Sequence, residues 1–359
     1  MKKICLMFNH LQHQDGVARS AVAIAIHLTR MHLAEVTLMP LFRNDKKAHA
    51  LLDAGVKVKP IFGYYFKGFS WLVHKLPMGL FSRLVFGRET YDIEVAFQYG
   101  ISQRCVAAHR SAATKYAWMH GYDYGLRFKH EYEKIGTVCC VSRCNAERLH
   151  KELPSVKVDY NYNPIDDTEI RAFGREPIEI ERPEGLLFVT VGRHSTEKGF
   201  DRLIKIVKRL KDERYKFHLW IIGDGPQSAN LHQLRTELGV EEEVQFLGRQ
   251  NNPHKFTSKA DVFICSSFRE GYSTACTEAI MLGVPVVTTN VSGAEEIISE
   301  AGCGMLTEMD DESLYKAIKS ICETPTVVDV WKRTLLKTRE RFSVDVRIQR
   351  LVKLFQLNE

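Results

Sequence analysis

Short apolar runs recur along nearly the whole chain, each followed by a stretch long enough for a crossover helix. Ile4–Phe8, Val36–Pro40, Val56–Ile61, Ile93–Phe97, Tyr116–Met119, Thr137–Val141 and Val156–Tyr160 read as strands. The pattern restarts cleanly at Leu186–Val191 and continues through Phe217–Ile222, Val244–Leu247, Val262–Cys265 and Val284–Thr288. Parallel strands are buried on both faces and need long, usually helical, crossovers, so they appear as continuous apolar runs set well apart. The spacing therefore predicts an α/β chain with two Rossmann-like, doubly wound sheets. At 359 residues the chain also exceeds one ordinary core. We place a first domain over residues 1–166, a second over 167–340 and a terminal helical segment over 341–359, with the polar run 175–185 as a linker.

Composition narrows the class. An apolar fraction of 45 % with 26 % charged residues belongs to a folded soluble protein. No apolar run approaches the roughly 18 residues that span a bilayer. The opening MKKICLMFNHLQHQDG reads as a first buried strand, because its apolar run is only Ile4–Phe8 and no small-residue cleavage site follows. Nine cysteines without a paired framework fit reduced thiols and a cytoplasmic location. Cys139, Cys140 and Cys144 read as thiols beside a strand, since no second Cys/His pair stands at finger-like spacing, and no metal site is expected.

The net charge of +6 is unevenly divided. Residues 1–165 hold 23 Lys/Arg against 13 Asp/Glu, giving +10, and residues 166–359 hold 27 against 31, giving −4. Within the basic half, residues 57–88 carry six Lys/Arg, no Asp or Glu, and eight aromatics. An anionic membrane surface or a lipid diphosphate selects such a segment. Nucleic acid is the other acidic partner, but no recognition module surrounds the segment.

Several post-strand loops carry chemistry. Glu270 and Glu278 stand eight residues apart across the loop and helix that follow Val262–Cys265, where two carboxylates can face one crevice at the sheet's carboxyl edge. Arg193 and Lys198 share the loop after Leu186–Val191, where a planar fork and a point charge can neutralise a diphosphate. Gly223-Asp-Gly-Pro ends Phe217–Ile222, and Arg249 and Gln250 follow Val244–Leu247. In the first half, Asp15 and Gly16 open a helix after the first strand, and His120 ends Tyr116–Met119. The third glycine of a dinucleotide fingerprint is missing, as is its downstream acid.

Together, Glu270-x7-Glu278, the Gly192-Arg193-x4-Lys198-Gly199 loop, Gly223-Asp-Gly-Pro, Val141-Ser142 and Asn163-Pro-Ile-Asp166 resemble the retaining glycosyltransferases of family four. The resemblance implies the two-domain GT-B architecture, with two Rossmann-like domains facing across a cleft and a C-terminal helix crossing back to the first. It implies that Glu270 contacts the donor sugar as a catalytic group with His120 nearby. Glu278 would hold the ribose, and Arg193 and Lys198 the diphosphate. Gly271, Tyr272, Ser273 and Thr274 would present helix-start amides; Gly223, Arg249 and Gln250 would line the nucleotide. Asp15 and Gly16 would form the sugar and acceptor loop, where relatives usually have a Gly-Gly pair. Relatives commonly have Gly-Phe/Leu-Pro-Asn after the first Glu, where this chain has Tyr272-Ser273-Thr274.

The implied reaction is transfer from a nucleotide-sugar to a glycan or polyprenyl-lipid-linked acceptor in cell-surface polysaccharide synthesis, with anomeric configuration retained. UDP-sugars are the expected donors, GDP-mannose the second choice. No cofactor is expected, and no Asp-x-Asp metal device occurs in the chain. Such an enzyme would work at the inner face of the cell membrane as a peripheral protein. A sugar-nucleotide epimerase of the same fold and a non-catalytic nucleotide-sugar binding protein are the competing readings.

Overall fold

A computed structural model describes residues 1–11, 16–44, 54–62, 73 and 76–357. The chain divides into two compact units, Met1–Ile165 with Val344–Glu359, and Asp166–Ser343.

The first unit is built on strands β1 (Lys2–Leu11), β2 (Ala34–Asn44), β3 (Lys57–Val58), β4 (Ile93–Ala96), β5 (Thr114–Met119), β6 (Thr137–Cys140) and β7 (Lys157–Tyr160). They form one parallel sheet in the order β3-β2-β1-β4-β5-β6-β7. Ile4 to Phe8 is completely buried, as a central strand covered by helices on both faces must be. Only Lys57 and Val58 of the expected Val56–Ile61 strand join the ladder. Pro60 has no N–H to donate, yet Lys59, Ile61 and Phe62 still donate to Leu38, Pro40 and Leu41 at 2.8, 3.0 and 3.0 Å.

The helix Val344–Leu354 belongs to this first unit. Arg350 donates to the Tyr160 carbonyl at 2.7 Å, pairs with Asp159 at 3.0 Å and lies over the Tyr160 ring. Tyr116 and Lys2 donate to Leu354 and Gln356 carbonyls at the helix end. The chain thus ends in the unit where it began.

The second unit holds β8 (Leu186–Val191), β9 (Phe217–Ile222), β10 (Val244–Gly248), β11 (Val262–Cys265), β12 (Val286–Thr289) and β13 (Met305–Thr307). All pairs are parallel, in the order β10-β9-β8-β11-β12-β13. Strand β12 starts at Val286 because Pro285 cannot donate; its carbonyl still accepts from Phe263 at 2.9 Å. Strand β13, three residues long, is too short to stand out as an apolar run. The helix Phe200–Asp212 turns Leu203, Ile204, Val207 and Leu210 onto the sheet, the 3.6-residue period visible in the sequence.

Residues 175–185 are no free linker. Arg182 donates to the Lys259 carbonyl at 3.0 Å and pairs with Asp261 at 2.6 Å, and Lys255 pairs with Glu179, so this run is fastened to the second unit.

Candidate functional site

In an open parallel sheet the two loops that leave neighbouring strands in opposite directions open a crevice at the carboxyl edge. In the second unit that point lies between β8 and β11, and its two loops are 192–199 and 266–273. They are joined by charge. Lys198 Nζ lies 2.7 Å from Glu270 Oε1, with the two side chains 24 % and 13 % exposed. Ser267 donates to the same carboxylate oxygen at 2.7 Å, and Thr289 at the end of β12 donates to the Ser267 carbonyl at 2.6 Å. Burial opposes the charge on Lys198, but the Glu270 carboxylate outweighs it and holds the ammonium above its ordinary pKa. Lys198 is therefore a fixed cation at neutral pH.

The backbone of these loops leaves no room for side chains. Gly199 has φ +62°, and a Cβ there would lie 2.3 Å from the Ser266 carbonyl oxygen. Gly223 has φ +140°, and its Cβ would lie 1.9 Å from the Gly192 carbonyl oxygen. Only glycine accepts both conditions. The loop after β9 is bound to the loop after β8 by His194 N donating to the Asp224 carbonyl and Gln227 N to the His194 carbonyl, at 3.0 and 2.9 Å. The His194 ring is buried, lies 2.8 Å from the Ser228 hydroxyl, and is held below its usual pKa mainly by that burial.

Arg202 is a residue that the motif reading passes over. It is 2 % exposed and stands on the helix that follows Gly199. Its guanidinium donates to three backbone carbonyls: Ser266 at 2.9 Å, Ser267 at 3.2 Å and Met309 at 2.7 Å. The Phe268 ring covers it at 4.0 Å. A planar donor fork, with five N–H groups spread over three nitrogens, suits carbonyls that arrive from two loops at once. Phe268 N also donates to the Glu197 carbonyl at 2.7 Å, so the loops on either side of the crevice are tied by backbone as well.

Glu278 is buried on the helix Thr274–Met281, with Oε2 3.8 Å from His254 Nδ1. His254 in turn faces the Phe173 ring in a parallel stack, and Asn252 accepts from the His254 amide at 3.0 Å. Ser273 caps the helix by accepting from Cys276 N at 3.3 Å, and Tyr272 beside it is buried. Arg193 is exposed on its loop. Arg249 is exposed after β10, while Gln250 turns back to donate to the Leu247 carbonyl. Gly271 is half-buried and Thr274 opens the helix.

The first unit has its own crevice point, between β1 and β4. Asn9 near the end of β1 accepts nothing on Oδ1 among the described residues; its backbone N donates to Gln98 Oε1 at 2.9 Å and its side chain to the Tyr99 carbonyl at 3.2 Å. His120 follows β5, with Nε2 2.8 Å from the Phe97 carbonyl and Nδ1 unpartnered among the described residues. Burial pushes its pKa down to about 4, so the ring is neutral at physiological pH with Nε2 as donor and Nδ1 as acceptor. Gly16 opens the helix Gly16–Arg30. Asp15 lies outside the described residues.

With this geometry in view, comparison with known proteins is specific. The family model "Glycosyl transferases group 1" matches residues 176–343. The lipopolysaccharide core biosynthesis glycosyltransferase LpsD of Rhizobium meliloti is 30 % identical over 244 residues, covering 66 % of either chain. A Campylobacter jejuni 4-alpha-N-acetylgalactosaminyltransferase, whose name specifies a diacetylbacillosaminyl-diphospho-undecaprenol acceptor, is 30 % identical over 223 residues, 61 % of this chain and 59 % of the relative. The chain therefore spans less than two thirds of either relative. Among solved structures, a glycosyltransferase from Rickettsia africae superposes with TM-score 0.74 at 16 % identity, covering 100 % and 99 % of the two chains. Anabaena Alr3699/HepE in complex with UDP and glucose gives 0.72 at 17 %, covering 99 % and 100 %. These structures share the GT-B fold with this chain.

Proposed function

Since the chain belongs to the group 1 glycosyl transferases, we propose that it transfers a sugar from a nucleotide-sugar, a UDP-sugar before GDP-mannose, to a hydroxyl of a lipid-linked or glycan acceptor. The product would be a precursor of a cell-surface polysaccharide, as the names of the LpsD and Campylobacter relatives support. The observation that carries the reading is the 2.7 Å Lys198–Glu270 pair at the β8/β11 crevice. An ammonium has three donors, so Lys198 can hold Glu270 and a phosphate oxygen together. Arg193, on the same loop, adds a second cation. Ser273 occupies the amide of Cys276, which leaves the first-turn amides of Thr274 and Ala275 to an anion.

In this reading Glu270 orients the donor sugar, fixed by Lys198 and Ser267, and is not a covalent nucleophile. Retention then follows from attack on the leaving-group side, a phosphate oxygen taking the acceptor proton. Leaving-group charge is met by Lys198, Arg193 and helix amides, so transfer proceeds without a metal. Glu278 accepts from two ribose hydroxyls. His120, neutral and with its N–H given to the Phe97 carbonyl, offers Nδ1 as an acceptor to a sugar hydroxyl. The basic segment 57–88 brings the enzyme to the inner, anionic face of the membrane where a lipid-linked acceptor resides.

Lys198→Met and Glu270→Gln test the assignment directly. Each should lower kcat/KM for sugar transfer from a UDP-sugar by about a hundredfold or more, and Lys198→Met should also weaken UDP binding. Transfer within a few times that of the parent in both variants sinks the site, and full activity with EDTA present is expected.

A further inference from the structure

The segment 57–88 looks aromatic-rich in sequence, but its described aromatics turn inward. Phe81 and Phe86 are buried, and Phe62 stacks between Phe42 and Phe81. Among the described residues, the outward face of the helix that ends the segment is aliphatic. On the helix Met78–Phe86, Leu80 is 59 % exposed and Leu84 72 %, and Leu76 on the turn leading into the helix is 43 % exposed. Leu80 and Leu84 are one helical turn apart and share a stripe. Arg83 and Arg88 are exposed beside and just after it, and neither pairs with an acidic residue among the described residues.

A single exposed leucine is ordinary. Three within nine residues, with arginines alongside and no Asp or Glu from Lys57 to Arg88, form an amphipathic surface element of the kind that lies in a membrane interface. We propose that the outer face of the helix Met78–Phe86 inserts into an anionic bilayer, with Leu80 and Leu84 entering the acyl boundary and Arg83 and Arg88 holding lipid phosphates. Charge selects the bilayer over a second copy of this chain. A two-fold contact along the stripe would set Arg83 against its own equivalent, and the nearest carboxylate, Glu89, is already paired with Lys59 at 3.3 Å. The inference deepens the reading of a membrane-bound acceptor and rests on it for its purpose, though not for its chemistry.

Co-sedimentation of the full chain with vesicles of phosphatidylglycerol and of phosphatidylcholine tests it. The parent should bind phosphatidylglycerol vesicles more strongly and lose that preference at high salt. Leu80→Ser with Leu84→Ser should weaken partitioning roughly tenfold at unchanged Tm, from the apolar area no longer buried. Arg83→Gln with Arg88→Gln should flatten the salt dependence while leaving the leucine contribution. The proposal is overturned if the leucine pair binds vesicles like the parent. It is also overturned if sedimentation equilibrium shows a dimer that the leucine pair dissolves with vesicle binding intact, which assigns the stripe to a second copy. A UDP-induced thermal shift, measured on the same samples, separates the two readings. Its absence removes the sugar-transfer function and leaves vesicle binding to be judged alone.

Discussion

Arg202→Lys is the perturbation that asks most of the site. Lysine keeps the charge but gathers its donors on one atom, and so cannot span the carbonyls of Ser266, Ser267 and Met309 as the guanidinium does at 2.9, 3.2 and 2.7 Å. Two of the three carbonyls then lose the guanidinium, at about 1 to 2 kcal/mol each, for a total of about 2 to 4 kcal/mol, the Ser267 carbonyl keeping only Thr289. In a unit of this size about 1 kcal/mol moves Tm by roughly 2 to 4 °C, so thermal unfolding should fall by roughly 5 to 15 °C. The loop also carries Ser267 and, three residues on, Glu270. Displacing it by a fraction of an ångström should lower kcat for transfer by roughly tenfold to a hundredfold. KM for the donor should change less, because Arg202 touches no ligand-facing group. Melting followed by circular dichroism, with kcat and KM measured well below the new Tm, separates the effects. Arg202→Lys with Tm within about 1 °C of the parent and unchanged kcat refutes the view that this arginine sets the loop.

Two further outcomes follow from the geometry. Gly223→Ala puts a methyl group 1.9 Å from the Gly192 carbonyl oxygen at a φ of +140°, so the loops after β8 and β9 must part; a stability loss of about 3 kcal/mol or more is expected by urea titration, together with loss of the UDP-induced thermal shift. His120 is held near pKa 4, below its unfolded value of about 6.5, so on acidification the unfolded chain takes up a proton that the folded one refuses. Stability should therefore fall between pH 6.5 and about 4, with His120 accounting for about 2.5 kcal/mol between pH 7.5 and 4.5, and urea titrations of His120→Asn should show a decline smaller by that amount.

Both sheets were legible from apolar runs alone, because a parallel strand buried on two faces must be apolar throughout. The errors came where backbone chemistry breaks that rule. Pro60 and Pro285 shorten or delay strands whose side chains read as continuous, and Met305–Thr307 is too brief to register. Within the candidate site, short local motifs pointed to Lys198, Glu270 and Glu278, and to the glycines at 199 and 223 whose backbone approach forbids a Cβ. The aromatics of segment 57–88 were legible as a count, while the inward orientation of Phe62, Phe81 and Phe86 was not. Exposure of Leu80 and Leu84 depends on which helix face meets the core, and the residues flanking it gave no period clear enough to decide.

What the sequence could not show shares one physical cause. Arg202 reaches carbonyls 64, 65 and 107 residues away, Thr289 reaches back 22 to Ser267, and His254 stands 24 before Glu278. These contacts join residues far apart in the chain, side chain to loop backbone for Arg202 and Thr289 and side chain to side chain for His254, and no periodicity or motif records them. Arg202 even occupies a position on its helix that pattern alone would assign to a polar residue facing water, between Asp201 and Leu203. Its burial is compensated because carbonyls of two loops converge on the guanidinium and its donors are bonded to them, so neither the charge nor the carbonyls are left unpaired. The same reasoning explains why the Lys198–Glu270 pair stands where it does. With the loop carbonyls committed to Arg202 and Thr289, the crevice keeps a cation and a carboxylate that a charged ligand can meet without first breaking the backbone frame.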